Sequence, residues 1–245
     1  MRKRLDVVLV ERGLAPTRSR ARDLIKYGKV LVDAQVCTKA AAEVGIGQVL
    51  TLEPGSADGV SRGGAKLAAA LDAFGFDPCG RVALDVGAST GGFTEVLIAR
   101  GAQTVYAIDV GRGQLHPRLK ADARVVSMEG CDARSLTPAT IPEPVGALVA
   151  DVSFISLAKA LPAALALVAP GAWLVALIKP QFEVGRARIG KGGIVRDAGA
   201  RDAAVEEVTA WLAAQERWRV VGIIPSPIRG GSGNEEYLLG ACKDG

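Results

Sequence analysis

Short apolar runs alternate with helix-like stretches along most of the chain, and this alternation constrains the fold more than any other feature. Helical stretches near residues 156–168 and 198–215 lie between some of the runs. Strands that alternate with helices form largely parallel sheets with helices on both faces. The pattern therefore predicts an α/β fold with a Rossmann-like sheet. The runs are RVALDV (81–86), TVYAIDV (104–110), RVVSM (124–128), GALVADV (146–152), GAWLVALI (171–178), WRVVGIIP (218–225) and EYLLGAC (236–242).

The first part of the chain has a different pattern. It predicts a short helix from Asp6 to Arg12, a second helix that begins after Thr17, and short strands at residues 29–32 and 49–52. Threonine is a common helix N-cap, and Gly28 is a typical helix stop. These elements predict a small α+β domain.

A polar stretch, EPGSADGV (53–60), separates the two patterns. It is rich in residues that favour turns, which is typical of a linker. We therefore expect two domains. The first covers residues 1–58, including most of the linker, and the second covers residues 59–245.

Basic residues concentrate near the N-terminus, although the formal net charge of the chain is only +4. Within residues 1–30, nine lysines and arginines stand against three acids. Arg18, Arg22 and Lys26 recur at every fourth position of a predicted helix, so they share one face. Such a face is either simply solvated or binds a polyanion such as RNA. The candidate RNA contacts of this segment are Arg4, Arg18, Arg20, Arg22, Lys26 and Lys29.

Several function classes are disfavoured by composition. The N-terminus lacks the long apolar segment of a signal peptide. The uncharged run from Ala160 to Ile178 could cross a bilayer by length, but Pro162 and the Pro170-Gly171 pair divide it. We expect a cytoplasmic protein with no membrane partner and no metal site, and the sequence predicts no oligomeric state. The widely spaced cysteines, which predict reduced thiols, are Cys37, Cys79, Cys131 and Cys242.

A glycine-rich turn, DVGASTGGFT (85–94), follows the first apolar run, where α/β proteins bind ligands beside a helix N-terminus. A nicotinamide cofactor favours glycine at the third position of this turn, which here is Ser89. Asp85 would repel a pyrophosphate but suits a cationic ligand. Asp109 can bind a ribose diol, and Asp132 can lie near an adenine amino group. These residues favour S-adenosylmethionine over a nicotinamide cofactor or a purely structural turn.

The apolar run LVALI (174–178) ends abruptly in Lys179, which precedes Pro180. A residue before proline favours extended geometry, so we expect Lys179 at the last position of a strand rather than at the start of a helix. Its side chain is either a solvated strand end or an amine aimed into a site. Asp151 ends another run at the same predicted edge of the sheet, which favours the second interpretation.

A glycine-rich basic loop, EVGRARIGKGGIVRD (183–197), follows that strand end. It is either a solvated loop or a lid that contacts RNA phosphates. Its candidate phosphate contacts are Arg186, Arg188 and Lys191.

Six motifs occur in an order that resembles one family. They are similar to the motifs of the TlyA ribosomal RNA 2′-O-methyltransferases, and RLDVVLVERGLAPTRSRARDLIKYGKVLVD (4–33) resembles the RNA-binding module of that family. The resemblance implies a ribosomal S-four type RNA-binding domain followed by an FtsJ/RrmJ-like methyltransferase domain. It also implies S-adenosylmethionine as the methyl donor and ribosomal RNA or ribosomal subunits as partners. The motifs are SRGGAKL (61–67), LDVGASTGGFT (84–94), AIDVGRGQL (107–115), ADVSFISL (150–157), LIKPQFEVG (177–185) and GNEEYLL (233–239).

The resemblance also assigns site residues. It implies a catalytic tetrad at Lys66, Asp151, Lys179 and Glu236. Glu236 is preferred to Glu235 because it directly precedes the tyrosine of the motif. Arg62 joins the candidate RNA contacts, and Asp132 stands where the family usually has Asn. The implied donor contacts are Asp85, Gly87, Ala88, Ser89, Gly91, Gly92, Phe93, Thr94, Asp109, Val110, Asp132 and Ala133.

The implied reaction is the attack of a ribose 2′-hydroxyl on the methyl group of S-adenosylmethionine. The resemblance to the family implies that the hydroxyl belongs to a cytidine. Alignment of the two reactants is expected to supply most of the acceleration. Lys179 acts either as a neutral base or as a cation that orients the hydroxyl, and both roles stay open at this point. The alternatives are a non-catalytic assembly factor on an inactive methyltransferase fold, a haemolysin-type membrane-active protein and a nicotinamide oxidoreductase.

Overall fold

The chain forms two compact units, Met1–Ser61 and Arg62–Gly245, and each is described by itself. Two predicted features, the N-cap Thr17 and residues 53–59 of the linker, lie outside the described residues. The side chains of residues 19, 20, 23 and 26 are also outside the description. The computed structural model describes residues 2–15, 18–26, 28–52, 60–61, 63–185, 188–190, 192–230 and 233–245.

The first unit has the small α+β fold that the sequence predicts. Strand β1 pairs with β4 in an antiparallel ladder, and β2 lies between β3 and β5 in a second antiparallel sheet. Strands β1, β3 and β4 were not predicted, because two or three residues are too short to show a period of two. The elements are β1 (Arg2–Arg4), α1 (Leu5–Glu11), α2 (Arg18–Lys26), β2 (Val30–Val32), β3 (Gln35–Val36), β4 (Glu43–Gly45) and β5 (Leu50–Leu52).

Helix α2 buries one face in the core of this unit. Ala21, Leu24 and Ile25 are buried, and they belong to the same apolar cluster as Leu5 and Leu9 of α1. Positions three and four apart lie on one side of a helix, so the charged positions 18 and 22 point away from this core. The amphipathic pattern of α2 therefore holds Arg18 and Arg22 at the surface.

The second unit is an α/β fold built on one large sheet. Its elements in chain order are α3 (Gly63–Phe74), β6 (Val82–Val86), α4 (Gly92–Ala99), β7 (Thr104–Asp109), α5 (Pro117–Lys120), β8 (Val125–Glu129), β9 (Val145–Ala150), α6 (Leu157–Ala160), α7 (Pro162–Ala166), β10 (Val168–Ile178), α8 (Pro180–Glu183), α9 (Ala198–Ala213), β11 (Trp218–Pro225) and β12 (Tyr237–Lys243).

All seven predicted apolar runs become strands of this sheet, in the order β11-β12-β10-β9-β6-β7-β8. Strands β10, β9, β6, β7 and β8 are parallel to their neighbours in this group, and β12 is antiparallel to both β10 and β11. The predicted fold class is thereby confirmed. The chain leaves the central strand β6 for β7 on one side and reaches β9 on the other, which creates a crevice at their carboxyl ends.

Two predicted elements are present but differ in their bounds. The helical stretch near residues 156–168 is two short helices, because Pro162 has no N–H to donate and instead occupies the first turn of α7. The strand predicted to begin at Gly171 begins at Val168, and its pairing with β9 shifts register between Val168 and Trp173. A register irregularity lets the strand continue through Pro170 and Gly171.

Helix α3 packs against the sheet through its last residue, Phe74. The Phe74 ring packs over Gly222 of β11 and Gly240 of β12, which are register partners. A Cβ atom built on Gly240 would lie 2.5 Å from Phe74 Cδ2, whereas one on Gly222 would lie 3.4 Å from Phe74 Cε1. The position of the ring therefore requires glycine at residue 240, whereas residue 222 has room for a Cβ atom.

The packing of Phe74 on Gly222 and Gly240 predicts different effects on stability for two matched substitutions. Gly240→Ala should lower the free energy of unfolding of the larger unit by about 1–3 kcal/mol, because the ring must move to admit the methyl group. Gly222→Ala makes only an ordinary van der Waals contact and should change it by less than about 1 kcal/mol. Urea denaturation of both variants measures the difference, and equal effects would contradict this packing.

Candidate active site

A cavity of about 840 Å³ opens at the carboxyl ends of the parallel strands. Residues from the ends of β6, β7, β9 and the loop after β8 contribute to its wall. It therefore lies where α/β sheets usually bind ligands. The predicted donor contacts that line it are Gly87, Ser89, Asp109, Val110, Asp132 and Ala133.

The other predicted donor contacts do not line this cavity. Asp85 and Thr94 are fully buried, and Phe93 is 3% exposed. Direct contact of these residues with the donor stays a prediction, and none of them lines the cavity. The residues concerned are Asp85, Ala88, Gly91, Gly92, Phe93 and Thr94.

The glycine-rich turn is fixed against the end of β9. Gly87 has a φ of +86°, and a Cβ atom there would lie 2.6 Å from the carbonyl oxygen of Asp151. Only glycine combines that backbone angle with such a close approach. The amide of Asp151 also donates to the carbonyl of Val86 at 3.0 Å. The turn and the predicted catalytic aspartate are therefore held together through their backbones.

Asp109 holds the two loops that border the cavity. Its Oδ2 accepts a hydrogen bond from Ser89 N at 2.8 Å, and its Oδ1 accepts one from Gly111 N at 2.7 Å. A carboxylate offers about four acceptor positions, so these two bonds leave capacity for a ribose diol. Asp109 thus has a structural role that the sequence did not reveal, beside the predicted one.

Asp132 is engaged by its neighbour Arg134. The Arg134 side chain donates to both carboxylate oxygens, at 2.6 Å from Nη2 to Oδ2 and 3.0 Å from Nε to Oδ1. These hydrogen bonds lower the pKa of Asp132 to about 2. The carboxylate is therefore charged and already partnered at the wall of the cavity, and it can accept a further bond only through its remaining lone pairs.

Asp85 is a buried carboxyl group with one partnered oxygen. Thr94 Oγ1 donates to its Oδ2 at 2.6 Å, while Oδ1 has no hydrogen-bond partner among the described residues. Burial raises the pKa of Asp85 to about 7, and the nearby charges of Asp151 and Asp109 act in the same direction. The hydrogen bonds from Thr94 oppose this shift. The group therefore titrates near neutral pH, behind the cavity.

The predicted tetrad residues form two ion pairs. Lys179 Nζ lies 2.6 Å from Asp151 Oδ1 and donates to Ser153 Oγ at 2.9 Å. The contact with Asp151 is close, but its angles are not those of a hydrogen bond. Lys66 Nζ donates to Glu236 Oε2 at 2.5 Å. The side chains of this second pair are only 10% and 3% exposed, so the pair is shielded from water.

The strand register brings the two pairs to one edge of the sheet. Ile178 of β10 faces Tyr237 of β12, so the next antiparallel position places Lys179 opposite Glu236. On the other side Ala176 faces Ala150 of β9, and Asp151 is the next residue along that strand. All four predicted tetrad residues therefore belong to elements that meet at the carboxyl end of β10.

The backbone at Lys179 departs from the prediction. Lys179 is extended, with φ −113° and ψ 98°, but β10 ends at Ile178 and a one-turn helix, α8, starts at Pro180. Proline is well tolerated at the first position of a helix, because its missing N–H would have no partner there. Lys179 is thus the helix N-cap residue as well as the continuation of the strand.

Sequence reasoning missed the buried amide of Asn234. The side chain is 2% exposed, its Oδ1 accepts from Val195 N at 3.0 Å, and its Nδ2 donates to Gly193 O at 2.8 Å. It therefore fastens the glycine-rich loop to the segment that carries Glu236. The signal was its place in the GNEEYLL motif, two residues before the predicted glutamate.

Three more residues of the site were missed. Glu183 Oε1 accepts from Leu157 N at 3.0 Å, which joins α8 to α6, and burial raises the pKa of this glutamate. Gly230 packs against Glu236, since a Cβ atom there would lie 2.9 Å from the Glu236 carboxyl carbon. Phe154 lines the cavity with 90% of its surface exposed and a φ of +67°, an uncommon angle for a bulky residue.

The predicted RNA contacts are distributed over both units. Arg4, Arg18 and Arg22 converge on Asp6, and Lys29 and Arg188 are exposed. The side chains of Arg20 and Lys26 are not described. The remaining predicted contacts, which lie outside the described residues, are Arg62, Arg186 and Lys191.

The described residues contain neither a metal site nor a membrane-spanning helix. No group of three or more His, Cys, Asp and Glu side chains there could hold a metal ion. Within the same ranges, no helix has both the length and the apolar character needed to cross a membrane.

Family comparisons agree with this geometry. The model of the FtsJ-like methyltransferases matches residues 59–243, and the model of the S4 domain matches residues 3–50. The chain belongs to the FtsJ-like methyltransferase family. In this FtsJ-like chain the matched region contains the whole cavity and both ion pairs.

Several relatives of this FtsJ-like protein are similar over nearly its whole length. The 16S/23S rRNA (cytidine-2′-O)-methyltransferase TlyA of Mycobacterium tuberculosis is 48% identical over 97% of this chain and 89% of its own. Hemolysin A of Brachyspira hyodysenteriae is 37% identical over 96% of this chain and 98% of its own. A solved protein from Streptococcus thermophilus is 39% identical, with a TM-score of 0.79 over 99% of this chain and 89% of that one. The predicted resemblance to TlyA proteins is confirmed.

The raised pKa of Asp85 predicts a pH-dependent stability. Its folded pKa of about 7 exceeds its ordinary value of 3.8, so the folded state binds the proton more tightly. The free energy of unfolding should therefore fall as pH rises from about 4 to about 7, by about 1.4 kcal/mol per unit of raised pKa. Asp85→Asn cannot titrate and should lose this part of the profile.

Denaturant unfolding at a series of pH values measures this contribution. Asp202→Asn, which removes an exposed carboxylate on α9, is the matched control and should keep the wild-type profile. Parallel curves for wild type and Asp85→Asn would mean that Asp85 does not titrate in this range.

Proposed function

We propose that the protein transfers a methyl group from S-adenosylmethionine to a ribose 2′-hydroxyl in ribosomal RNA. By analogy with its TlyA relatives, we propose that this ribose belongs to a cytidine. The observation that carries the proposal is the meeting of two lysine–carboxylate ion pairs at the carboxyl end of β10, beside the cavity. The names of the relatives support the substrate class. The pairs support a reaction that requires a well-oriented hydroxyl.

The residues of the cavity fit the proposed donor. Asp109 has acceptor capacity for a ribose diol, and Asp132 with Ala133 lines the wall where an adenine ring would lie. In its ionised form, which becomes the major form as the pH rises above its pKa of about 7, the buried carboxylate of Asp85 adds negative potential behind the turn. Such a potential favours a sulfonium cation and disfavours a pyrophosphate. When bound, S-adenosylmethionine supplies the methyl group and a neutral thioether leaving group.

We assign Lys179 the role of a cation that orients the 2′-hydroxyl. The ammonium forms an ion pair with Asp151 at 2.6 Å, and the role as a cation keeps this pair intact while the hydroxyl reacts. One N–H of the Lys179 ammonium donates to Ser153, so another N–H of Lys179 can point at a substrate oxygen. Alignment within a few tenths of an ångström of in-line geometry is the main source of rate in such a site.

Lys66 and Glu236 act as the second, more buried pair. Glu236 accepts from Lys66 and lies opposite Lys179 in the strand register, so its charge contributes to the same edge. Removing one member of a buried pair leaves an uncompensated charge in a poorly solvated site. We therefore assign this pair to positioning the substrate ribose and stabilising the arrangement around Lys179.

The basic residues of both units are the proposed RNA contacts. Arg4, Arg18 and Arg22 form a surface cluster on the first unit, and Arg188 lies in the loop that Asn234 fastens. Phosphate contacts of this kind position structured RNA without reading its sequence. We also propose that the protein acts in the cytoplasm on ribosomal RNA or ribosomal subunits. No geometry in the described residues favours the membrane-active alternative.

The tetrad makes a direct prediction for activity. Lys179→Met should lower the single-turnover rate of ribose methylation by about 10²-fold or more, because the hydroxyl loses its orienting donor. Binding of S-adenosylmethionine should stay within about threefold of wild type, since Lys179 does not line the cavity. Arg100→Met, which breaks an ion pair with Asp72 at the far end of α4, is the control and should retain activity.

The measurement uses ribosomal RNA transcribed in vitro, labelled S-adenosylmethionine for the rate and calorimetry for donor binding. An undiminished rate in Lys179→Met would contradict the assigned role. A wild-type protein that binds RNA but not the donor would instead support the non-catalytic assembly factor.

A further inference from the structure

The arginine cluster of the first unit is organised around one buried carboxylate. Asp6, in the first turn of α1, is fully buried, although most carboxylates in proteins are exposed. Arg4 Nε lies 2.9 Å from Asp6 Oδ1, and Arg18 Nη2 and Arg22 Nε lie 3.0 and 3.1 Å from Asp6 Oδ2. Three guanidinium groups from three positions of the chain therefore share one carboxylate.

The arginines keep half of their surface available while they hold this carboxylate. Their side chains are 48%, 52% and 55% exposed, in the order Arg4, Arg18, Arg22. A guanidinium has five N–H donors in a rigid fork, and the contacts with Asp6 use one or two of them on each residue. The cluster keeps a net positive charge, since three cations surround one anion.

Like charges held this close would otherwise repel one another and spread apart. Without Asp6, the flexible arginine side chains would adopt many rotamers, and binding RNA would have to order them. Hydrogen bonds from Arg4 keep the pKa of Asp6 well below its usual range, so the carboxylate stays charged in all ordinary buffers. The organising charge is therefore permanent.

We infer that Asp6 is a positioning residue that preorganises Arg4, Arg18 and Arg22 as a clamp for RNA phosphates. The inference rests on the proposed function of the first unit as an RNA-binding domain, and it deepens that function. Asp6 itself is buried, and its negative charge would repel a phosphate. Its contribution comes through the geometry of the arginines, since guanidinium forks bind phosphate oxygens in a fixed orientation.

Charge alone and positioning predict opposite outcomes for Asp6→Asn. The substitution removes a negative charge, so a purely electrostatic patch would bind RNA more tightly and with a steeper salt dependence. A preorganised clamp should instead bind about tenfold more weakly. The slope of log affinity against log salt should also become shallower by about one for each RNA phosphate that the arginines no longer neutralise.

Glu11→Gln is the matched control. Glu11 lies on the same helix and its substitution removes the same charge, but its partner is Lys3 and both side chains are 47% exposed. This variant should bind RNA as tightly as wild type or slightly more tightly. A second variant, Arg22→Lys, keeps the charge of an exposed side chain but loses the guanidinium fork, and should bind about threefold more weakly.

The experiment measures binding of the full chain to large-subunit ribosomal RNA transcribed in vitro, over a series of salt concentrations, with thermal unfolding as the test of folding. Weaker binding by folded Asp6→Asn, with Glu11→Gln unchanged, supports the inference. Binding by Asp6→Asn that equals or exceeds wild type overturns the inference and leaves RNA binding intact. If Asp6→Asn does not fold, Arg22→Lys decides, because wild-type affinity in that variant overturns the clamp. A wild-type chain that does not bind RNA overturns the proposed function as well.

Discussion

Strand β10 is the constraint on which the candidate active site depends. It pairs with β9 on one side and β12 on the other, and Asp151 and Glu236 flank the ends of these two strands. Lys179 follows β10 directly, so the register of β10 with β9 and β12 brings it to the edge of the sheet where Asp151 and Glu236 lie. A slip of one residue would turn Lys179 to the opposite face of the sheet. The chemistry therefore depends on backbone pairing far more than on the flexible lysine side chains.

Buried carboxylates organise both units. In the second unit Asp85 lies behind the glycine-rich turn and Glu236 holds Lys66, and in the first unit Asp6 holds three arginines. Each of these acids is buried, so its interactions are less screened than they would be in water. A buried charge without a partner raises the free energy of the folded state. Each acid is therefore stabilised by the cations or the hydroxyl donor that it contacts.

The sequence predicted the strands of the large sheet, because runs such as residues 104–110 and 218–225 are apolar enough to identify without context. The ends of two apolar runs brought Lys179 and Asp151 to one edge of the sheet. Only the family motifs added Lys66 and Glu236, since no periodicity connects these two residues, which are 170 positions apart. Sequence reasoning missed Asn234 and Asp6, because a buried polar side chain looks like a surface residue in a sequence. It also misjudged Pro180, where local preference for extended geometry at Lys179 is compatible with a helix that follows.

We propose that this FtsJ-like chain methylates ribose hydroxyl groups of ribosomal RNA, and 2′-O-methyl nucleotides can be mapped by mass spectrometry in ribosomal RNA from cells with and without the protein. We expect at least one site that is methylated when the protein is present, is lost when it is absent, and returns with the wild-type chain but not with Lys179→Met. Identical methylation maps in the presence and absence of the protein would show that it does not have this function.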